Sequence, residues 1–179
     1  MKKYIVLTLA VVLVMSAALT GCAPQKTNLI LATGGTSGTY YPFGGSMAQI
    51  FNSKIQNMNV TAQATGASVE NLKLIGQKEA ELAIVQNDMT DYAYNGTEAF
   101  KDSKIANVRV IANLYPEVIQ IVSSADSGIK TLTDIKGKKF SVGAPGSGVE
   151  ANARQLLDVM GMTYNDFSAN YLSFAESAD

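Results

Sequence analysis

Apolar runs of strand length alternate with helical patterns along this 179-residue chain, and that alternation predicts an α/β fold with a mainly parallel sheet. Two further observations sharpen the prediction. The run at 29–33 opens into Gly34-Gly-Thr-Ser-Gly-Thr39, and the run at 140–142 opens into Gly143-Ala-Pro-Gly-Ser-Gly148. In both places glycines and hydroxyls join a strand to a helix start. Glycine lets backbone approach a ligand closely, and the exposed amides at a helix start donate to negative charge, so each is the chemistry of an anion-binding loop. Two such loops, one early and one late, predict two lobes with a ligand cleft between them.

Residues 29–33 are the first expected strand. After the opening loop, Pro42 suits the first turn of a helix, and Phe43, Met47, Ile50 and Phe51 fall on one face at helical spacing. Residues 60–64 make a second strand. It leads through Thr65, Gly66 and Ala67 to Ser68, placed to cap a helix that packs Val69, Leu72 and Ile75. A third strand, 82–85, runs into Gln86-Asn-Asp-Met89, a polar helix start at the carboxyl end of the sheet, where open α/β folds keep their ligands.

Residues 108–114 and 118–123 read as two more strands flanking Tyr115, Pro116 and Glu117. Segment 124–128 is then expected to carry the chain between lobes as a hinge. Residues 133–137 form a short capped turn before the strand at 140–142. The helix after the second loop places Val149, Ala153, Leu156, Leu157 and Met160 on one face, with Gly161 as its C-terminal cap. A last strand is expected at 171–174, followed by a helix start. There is no internal repeat or low-complexity segment.

The N-terminus speaks to compartment. Lys2 and Lys3 precede an apolar run at 5–15, and small residues lead into Leu19-Thr-Gly-Cys22, the pattern of a secretion signal. The run is shorter than the about 20 apolar residues that span a bilayer; counted on through Ala23 it nearly reaches that length, which leaves an uncleaved anchor as the alternative. Leu19-Thr-Gly-Cys22 resembles the bacterial lipoprotein signal. That implies removal of residues 1–21, a lipid on Cys22, a tether at 22–28, and a place on the extracytoplasmic face of the bacterial cell membrane. Cys22 is the sole cysteine, so no intrachain disulfide is possible and stability must come from a packed core. Without residues 1–21 the chain carries 12 basic against 15 acidic side chains, a balance that does not suggest a nucleic-acid partner.

The segment Ala32-Thr-Gly-Gly-Thr-Ser-Gly-Thr-Tyr-Tyr-Pro-Phe-Gly-Gly45, with Leu114-Tyr-Pro-Glu117 and Val142-Gly-Ala-Pro-Gly-Ser-Gly148, resembles the TAXI family of solute receptors for TRAP transporters. Leu132-Thr-Asp-Ile-Lys-Gly-Lys138 is similar to a segment shared by many type II periplasmic binding proteins. The resemblance covers residues 29–179. It implies a type II periplasmic-binding-protein-like fold, with a first α/β lobe at 29–124 and the start of a second at 125–179. Family members are roughly twice as long, so the resemblance also implies a second lobe that is incomplete here and a first lobe without its C-terminal return. The function it implies is capture of a small organic anion or amino acid, glutamate-like or dicarboxylate, for the membrane subunits of an ion-gradient-driven importer.

The residues fit that work. Backbone amides around Gly35 to Thr39 and Gly146 to Gly148, with the hydroxyls of Thr36, Ser37 and Ser147, suit a carboxylate, and Tyr40 or Tyr41 would wall the pocket; Gly38 belongs to the first set. The family motifs put Ser68, Gln86, Asp88 and Glu117 at strand ends facing the same cleft, where the Glu117 carboxylate would take a substrate ammonium. Each has a plainer alternative. The first loop would serve close strand–helix packing, Gly146-Ser-Gly148 and Ser68 would be helix caps, Asp88 would cap its own helix, Gln86 would satisfy local backbone, and Glu117 would be a solvated turn residue. Of the two arginines, Arg154 stands four residues after Glu150 on one helix, the spacing of a surface ion pair, and Arg109 begins a strand and points outward or closes the sheet edge.

Other function classes are weaker. The chain has no histidine, so neither a Ser-His-Asp triad nor a histidine-ligated zinc site can be built. Gly-x-Ser-x-Gly and the phosphate-binding Gly-x4-Gly-Lys-Ser/Thr pattern do not occur, and Ser127-Gly-Ile-Lys130, which has the spacing of a serine–lysine pair, lies in the expected crossover. No catalytic residue, cofactor or metal is expected. A binding lipoprotein of an ATP-driven importer and a sensory receptor stand beside the TRAP reading, because the ligand loops do not distinguish them.

Overall fold

In the computed structural model, residues 25–179 are described; the signal pattern at 1–21 and Cys22 lie outside the described residues. Strand β1 (Thr27–Ala32) leads through the first glycine loop into α1 (Tyr40–Lys54), β2 (Met58–Gln63), α2 (Ser68–Gln77), the two-residue β3 (Leu82–Ala83) and α3 (Asn87–Asn95). After a long connection come β4 (Lys139–Ser141), α4 (Gly148–Val159), β5 (Ser168–Asn170) and α5 (Phe174–Ala178). β1 lies centrally, parallel to β2 from Thr27 opposite Met58 to Ala32 opposite Gln63, and parallel to β3 at Leu31 opposite Leu82. β4 and β5 form a second parallel pair. Parallel neighbours require a crossover rather than a hairpin, and α1, α2 and α4 supply it.

Apolar burial follows the two sheets. Leu31, Tyr40, Ala48, Val60 and Ile84 pack around the larger sheet, and Ile135, Val142, Leu157, Met162 and Phe167 around the smaller. A third cluster joins Val69, Leu72, Met89, Ala93, Phe100 and Ile105 to Ala151, so α4 of the smaller unit is packed onto α2 and α3 of the larger. The edge of β2 is covered by α1: Asn52 Nδ2 donates to the Val60 carbonyl at 2.9 Å, and Val60 N–H donates to Asn52 Oδ1 at 2.6 Å. α4 ends as the sequence predicts. Gly161, at φ +66°, lets its own N–H reach the Asp158 carbonyl and the Met162 N–H reach the Leu157 carbonyl, while Met162 and Leu157 share the core.

Several expectations are corrected. Residues 108–114 and 118–123 are not strands. They run exposed, with Val110, Ile111, Val118 and Val122 each at least 70 % accessible. β-branched composition favours a pleated surface only when a neighbouring strand supplies the ladder, and none lies beside them among the described residues. The last strand is Ser168–Asn170 rather than 171–174; Phe174 instead opens α5, capped by a reciprocal pair in which Ser173 and Glu176 bond each other's backbone. α1 buries Tyr40, Gly44 and Ala48, leaving Phe43 and Ile50 to solvent, because Gly44 is the point where the helix meets Thr33: a Cβ there would stand 2.4 Å from the Thr33 methyl. α4 likewise turns Gly148, Ala151 and Leu157 inward and leaves Val149 and Met160 exposed.

Candidate functional site

The three helix-opening loops of the larger unit reach one edge because the strands before them are parallel and in register. Asn71, fully buried on α2, fastens that edge. Its Nδ2 donates to the Thr33 carbonyl at 2.6 Å and to the Ile84 carbonyl at 2.8 Å, and its Oδ1 accepts from Thr65 Oγ1 at 2.6 Å. The carboxyl ends of all three strands are thereby tied to one side chain. Thr33, also fully buried, adds a bond from Oγ1 to the Gln63 carbonyl at 2.6 Å.

On this edge the structure brings together Tyr40, Ser68, Gln86, Asp88 and Glu117. Ser68 is not the cap of α2 but its first residue, after Ala67 at φ +84° and ψ −144°. Its hydroxyl accepts from Gln86 N–H at 3.1 Å and faces Gln86 Oε1 at 3.4 Å. Gln86 Nε2 then donates to Asn152 Oδ1 of α4 at 2.7 Å, and Asn152 Nδ2 donates to Asp88 Oδ2 at 2.7 Å. Asp88 Oδ1 also accepts from Met89 N–H at 2.8 Å. On the other flank the buried Tyr40 hydroxyl donates to Glu117 Oε2 at 2.8 Å. Burial first, and then the Glu117 carboxylate, push the Tyr40 phenol well above its ordinary range, and Ser68 beside it works in the opposite sense. Tyr115 is raised by the same two causes in the same order and stands edge-on to Phe43, ring centres 6.0 Å apart. Glu117 is thus exposed, as a turn residue would be, yet flanked by two tyrosines.

The loops divide. Gly35, Thr36 and Ser37 are exposed around a tight turn closed by Gly38 N–H to the Gly35 carbonyl at 2.9 Å, and Thr39 makes no side-chain cap at the start of α1. A Cβ on Gly38 would stand 3.2 Å from the Phe174 ring, so α5 approaches this loop from the smaller unit. The second loop is closed upon the first unit. The Gly146 carbonyl accepts from both Val69 and Glu70 N–H, at 3.1 and 3.0 Å, which occupies the amides at the start of α2. Ser147 is buried and caps α4 through Glu150 N–H. Gly148 is required sterically, since a Cβ would come 1.4 Å from Gln86 Oε1. Tyr41, 37 % accessible, lies outside this group.

In this arrangement the donors facing water are those of residues 35–39 and the start of α1, while the acidic and aromatic chemistry belongs to Tyr40, Tyr115 and Glu117. Neither arginine joins them. Arg154 pairs with Glu150 and lies 4.4 Å over the Tyr164 ring, whose hydroxyl donates to Glu150 Oε1 at 2.9 Å. Arg109 donates to the Ala106 and Val108 carbonyls. Among the described residues no group of three His, Cys, Asp or Glu is placed to hold a metal, and no helix is long and apolar enough to cross a membrane. Sequence reasoning missed Asn71, Asn152 and Phe174. The readable signal was the stripe Gly148, Asn152, Gln155 along α4, polar at helical spacing beside an apolar one.

Residues 31–179 match the NMT1-like family, and the chain belongs to that family. Among solved structures it is similar to the periplasmic aliphatic sulphonate binding protein SsuA from Escherichia coli, with a TM-score of 0.50 and 18 % identity over 84 % of this chain and 46 % of that one. It also aligns with the alkanesulfonate-binding protein SsuA from Xanthomonas axonopodis pv. citri bound to MOPS, with a TM-score of 0.49 and 14 % identity over 87 % of this chain and 51 % of that one. The chain spans about half the length of these structures, and its α/β fold with parallel sheets is similar to that of the periplasmic protein from E. coli.

Proposed function

We propose that this member of the NMT1-like family is an extracytoplasmic solute-binding receptor whose larger and smaller units are lobes that close on a small organic anion or amino acid. One observation carries the reading: the glycine loop at 143–148 of the smaller unit closes on the turn at 65–67 that opens α2 of the larger, the Gly146 carbonyl seated on the amides of Val69 and Glu70. A turn that served only local strand–helix packing has no need of a second loop from another sheet. The ligand's carboxylate would take the exposed amides at 35–39 with the Thr36 and Ser37 hydroxyls, and its ammonium would take Glu117 between Tyr40 and Tyr115. Glutamate-like ligands and dicarboxylates meet the first requirement, and glutamate-like ligands meet both. Delivery to the membrane subunits of a TRAP transporter, with the receptor held by a lipid on Cys22, completes the proposal and rests on the TAXI-like motifs.

A second reading is favoured by the E. coli structure, which is named for aliphatic sulphonate binding: a sulfonate also seeks amide and hydroxyl donors, and the importer would then be ATP-driven. A thermal melt followed by circular dichroism, against glutamate, glutamine, other amino acids, C4 to C6 dicarboxylates and short alkanesulfonates, separates the two. A ligand at about a hundred times its dissociation constant adds roughly 2.7 kcal/mol, enough to move the midpoint. A rise with amino acids or dicarboxylates supports the first reading and a rise with sulfonates alone the second. A cooperative melt that none of them shifts refutes these ligand classes.

A further inference from the structure

We propose that Asn152 is a positioning residue of the cleft, an amide latch that holds α4 of the smaller unit against the start of α3 and so commits Gln86 and Asp88 to closure instead of to direct ligand contact. This rests on the two-lobed receptor reading and goes beyond it, because the sequence motifs assign Gln86 and Asp88 to the ligand and assign Asn152 nothing.

The hydrogen bonds run in one direction. Ser68 Oγ faces Gln86 Oε1, which leaves Gln86 Nε2 to donate to Asn152 Oδ1 at 2.7 Å. With Oδ1 so used, Asn152 Nδ2 donates to Asp88 Oδ2 at 2.7 Å and to Gln155 Oε1 at 3.2 Å. The chain ends on the Asp88 carboxylate, which accepts from Asn152 Nδ2, and that direction fixes both amide orientations. Leucine in place of Asn152 would break the chain at both ends, and aspartate would set a second carboxylate against Asp88.

The surrounding contacts are those of a surface built to close and part. Gly148, Ala151, Asn152 and Gln155 form one stripe of α4 at helical spacing. The absence of a side chain at Gly148 brings the helix against Gln86, and the apolar contribution of α4 to the larger unit's core is the single methyl of Ala151. Polar contacts exchange for water at small net cost, whereas a large apolar seam would not. The latch therefore supplies geometry while leaving the lobes free to separate. The Gly146 carbonyl on the α2 amides closes in the same movement.

The test measures closure without any ligand. In a chain carrying Cys22→Ser, spin labels at Lys54→Cys and Asp158→Cys, both exposed and each at the far end of its helix from the loops, report the separation of the units by pulsed electron–electron double resonance. Asn152→Leu and Asn152→Asp are expected to broaden the distance distribution and move it to longer values, while the melt stays cooperative. Arg154→Ala, on the same helix but engaged with Glu150 and Tyr164, is expected to leave it unchanged. Distributions for both Asn152 variants that superimpose on the parent overturn the proposal, as does a shift of equal size in Arg154→Ala. Should the Asn152 variants lose their cooperative melt, Gln86→Leu breaks the same bond from the other side; broadening there supports the latch and an unchanged distribution overturns it. A latch that behaves as stated in a chain whose melt no ligand raises refutes the ligand classes and leaves the latch standing.

Discussion

Replacing Asn71 with leucine removes the one side chain that ties the carboxyl ends of all three strands in the larger unit. Three hydrogen bonds are lost at once, to the Thr33 and Ile84 carbonyls and from the Thr65 hydroxyl, in a position with no solvent access to replace them. At about 1 kcal/mol each, the cost is about 3 kcal/mol. The Thr33 carbonyl keeps a second donor in Thr65 Oγ1 at 3.2 Å, so it is the Ile84 carbonyl that loses most. Leucine has the branched shape of asparagine and somewhat more volume, so no cavity is left and the loss is mainly polar. For a domain of this size each kcal/mol moves the melting midpoint by about 2–4 °C, giving a fall of about 6–12 °C. Urea titration followed by circular dichroism measures it, with Asn59→Ala as the control, since Asn59 makes an exposed bond to Asn28 and should change stability by less than about 0.5 kcal/mol. A loss below about 1 kcal/mol in Asn71→Leu would refute the view that this residue fastens the loop-bearing edge.

Three other outcomes follow from the same structure. The double change Thr36→Val, Ser37→Ala removes exposed hydroxyls and no core packing, so it should weaken binding of whichever ligand raises the melt while leaving the unliganded midpoint within about 0.5 kcal/mol; unchanged affinity would take both hydroxyls out of the site. Ala67 holds φ +84° with ψ −144°, a region that costs a side chain about 1–3 kcal/mol, so Ala67→Gly should stabilise the chain despite glycine's greater freedom when unfolded, and a lower urea midpoint would show that the methyl's packing outweighs the strain. The phenols of Tyr40 and Tyr164 are both held above the ordinary tyrosine range, by burial first and then by Glu117 and Glu150 respectively. The unfolded chain releases these protons near pH 10, while the folded chain keeps them, so their stabilisation is complete below about pH 10 and is lost as pH rises beyond it. Urea midpoints between pH 9 and pH 11 should fall more steeply for the parent than for Tyr40→Phe or Tyr164→Phe, and parallel slopes would contradict the assignment.

The sequence by itself determined the elements whose signals are local. Glycine loops between strands and helices, Pro42 in the first turn of α1, and Gly161 beyond α4 all act through backbone conformation within a few residues, and the α/β class followed from their alternation. The first three strands, the pairing of Glu150 with Arg154, and the polar start of α3 were legible for the same reason. Tertiary structure alone decided which face each helix buries. Gly44 on α1 and Gly148 on α4 mark the closest approaches, and a pattern counting apolar residues passes over a glycine that meets Thr33 or Gln86. It also decided the fate of residues 108–123, whose strand-like composition needs a neighbour's hydrogen bonds before it becomes a strand. The partners of polar side chains were likewise beyond the sequence. Ser68 reads as a cap by position and turns instead to Gln86, while Asn152 meets Asp88 from 64 positions away. A hydrogen bond is a matter of about 3 Å between two atoms, and only the packing of α4 onto α2 and α3 brings those atoms that close.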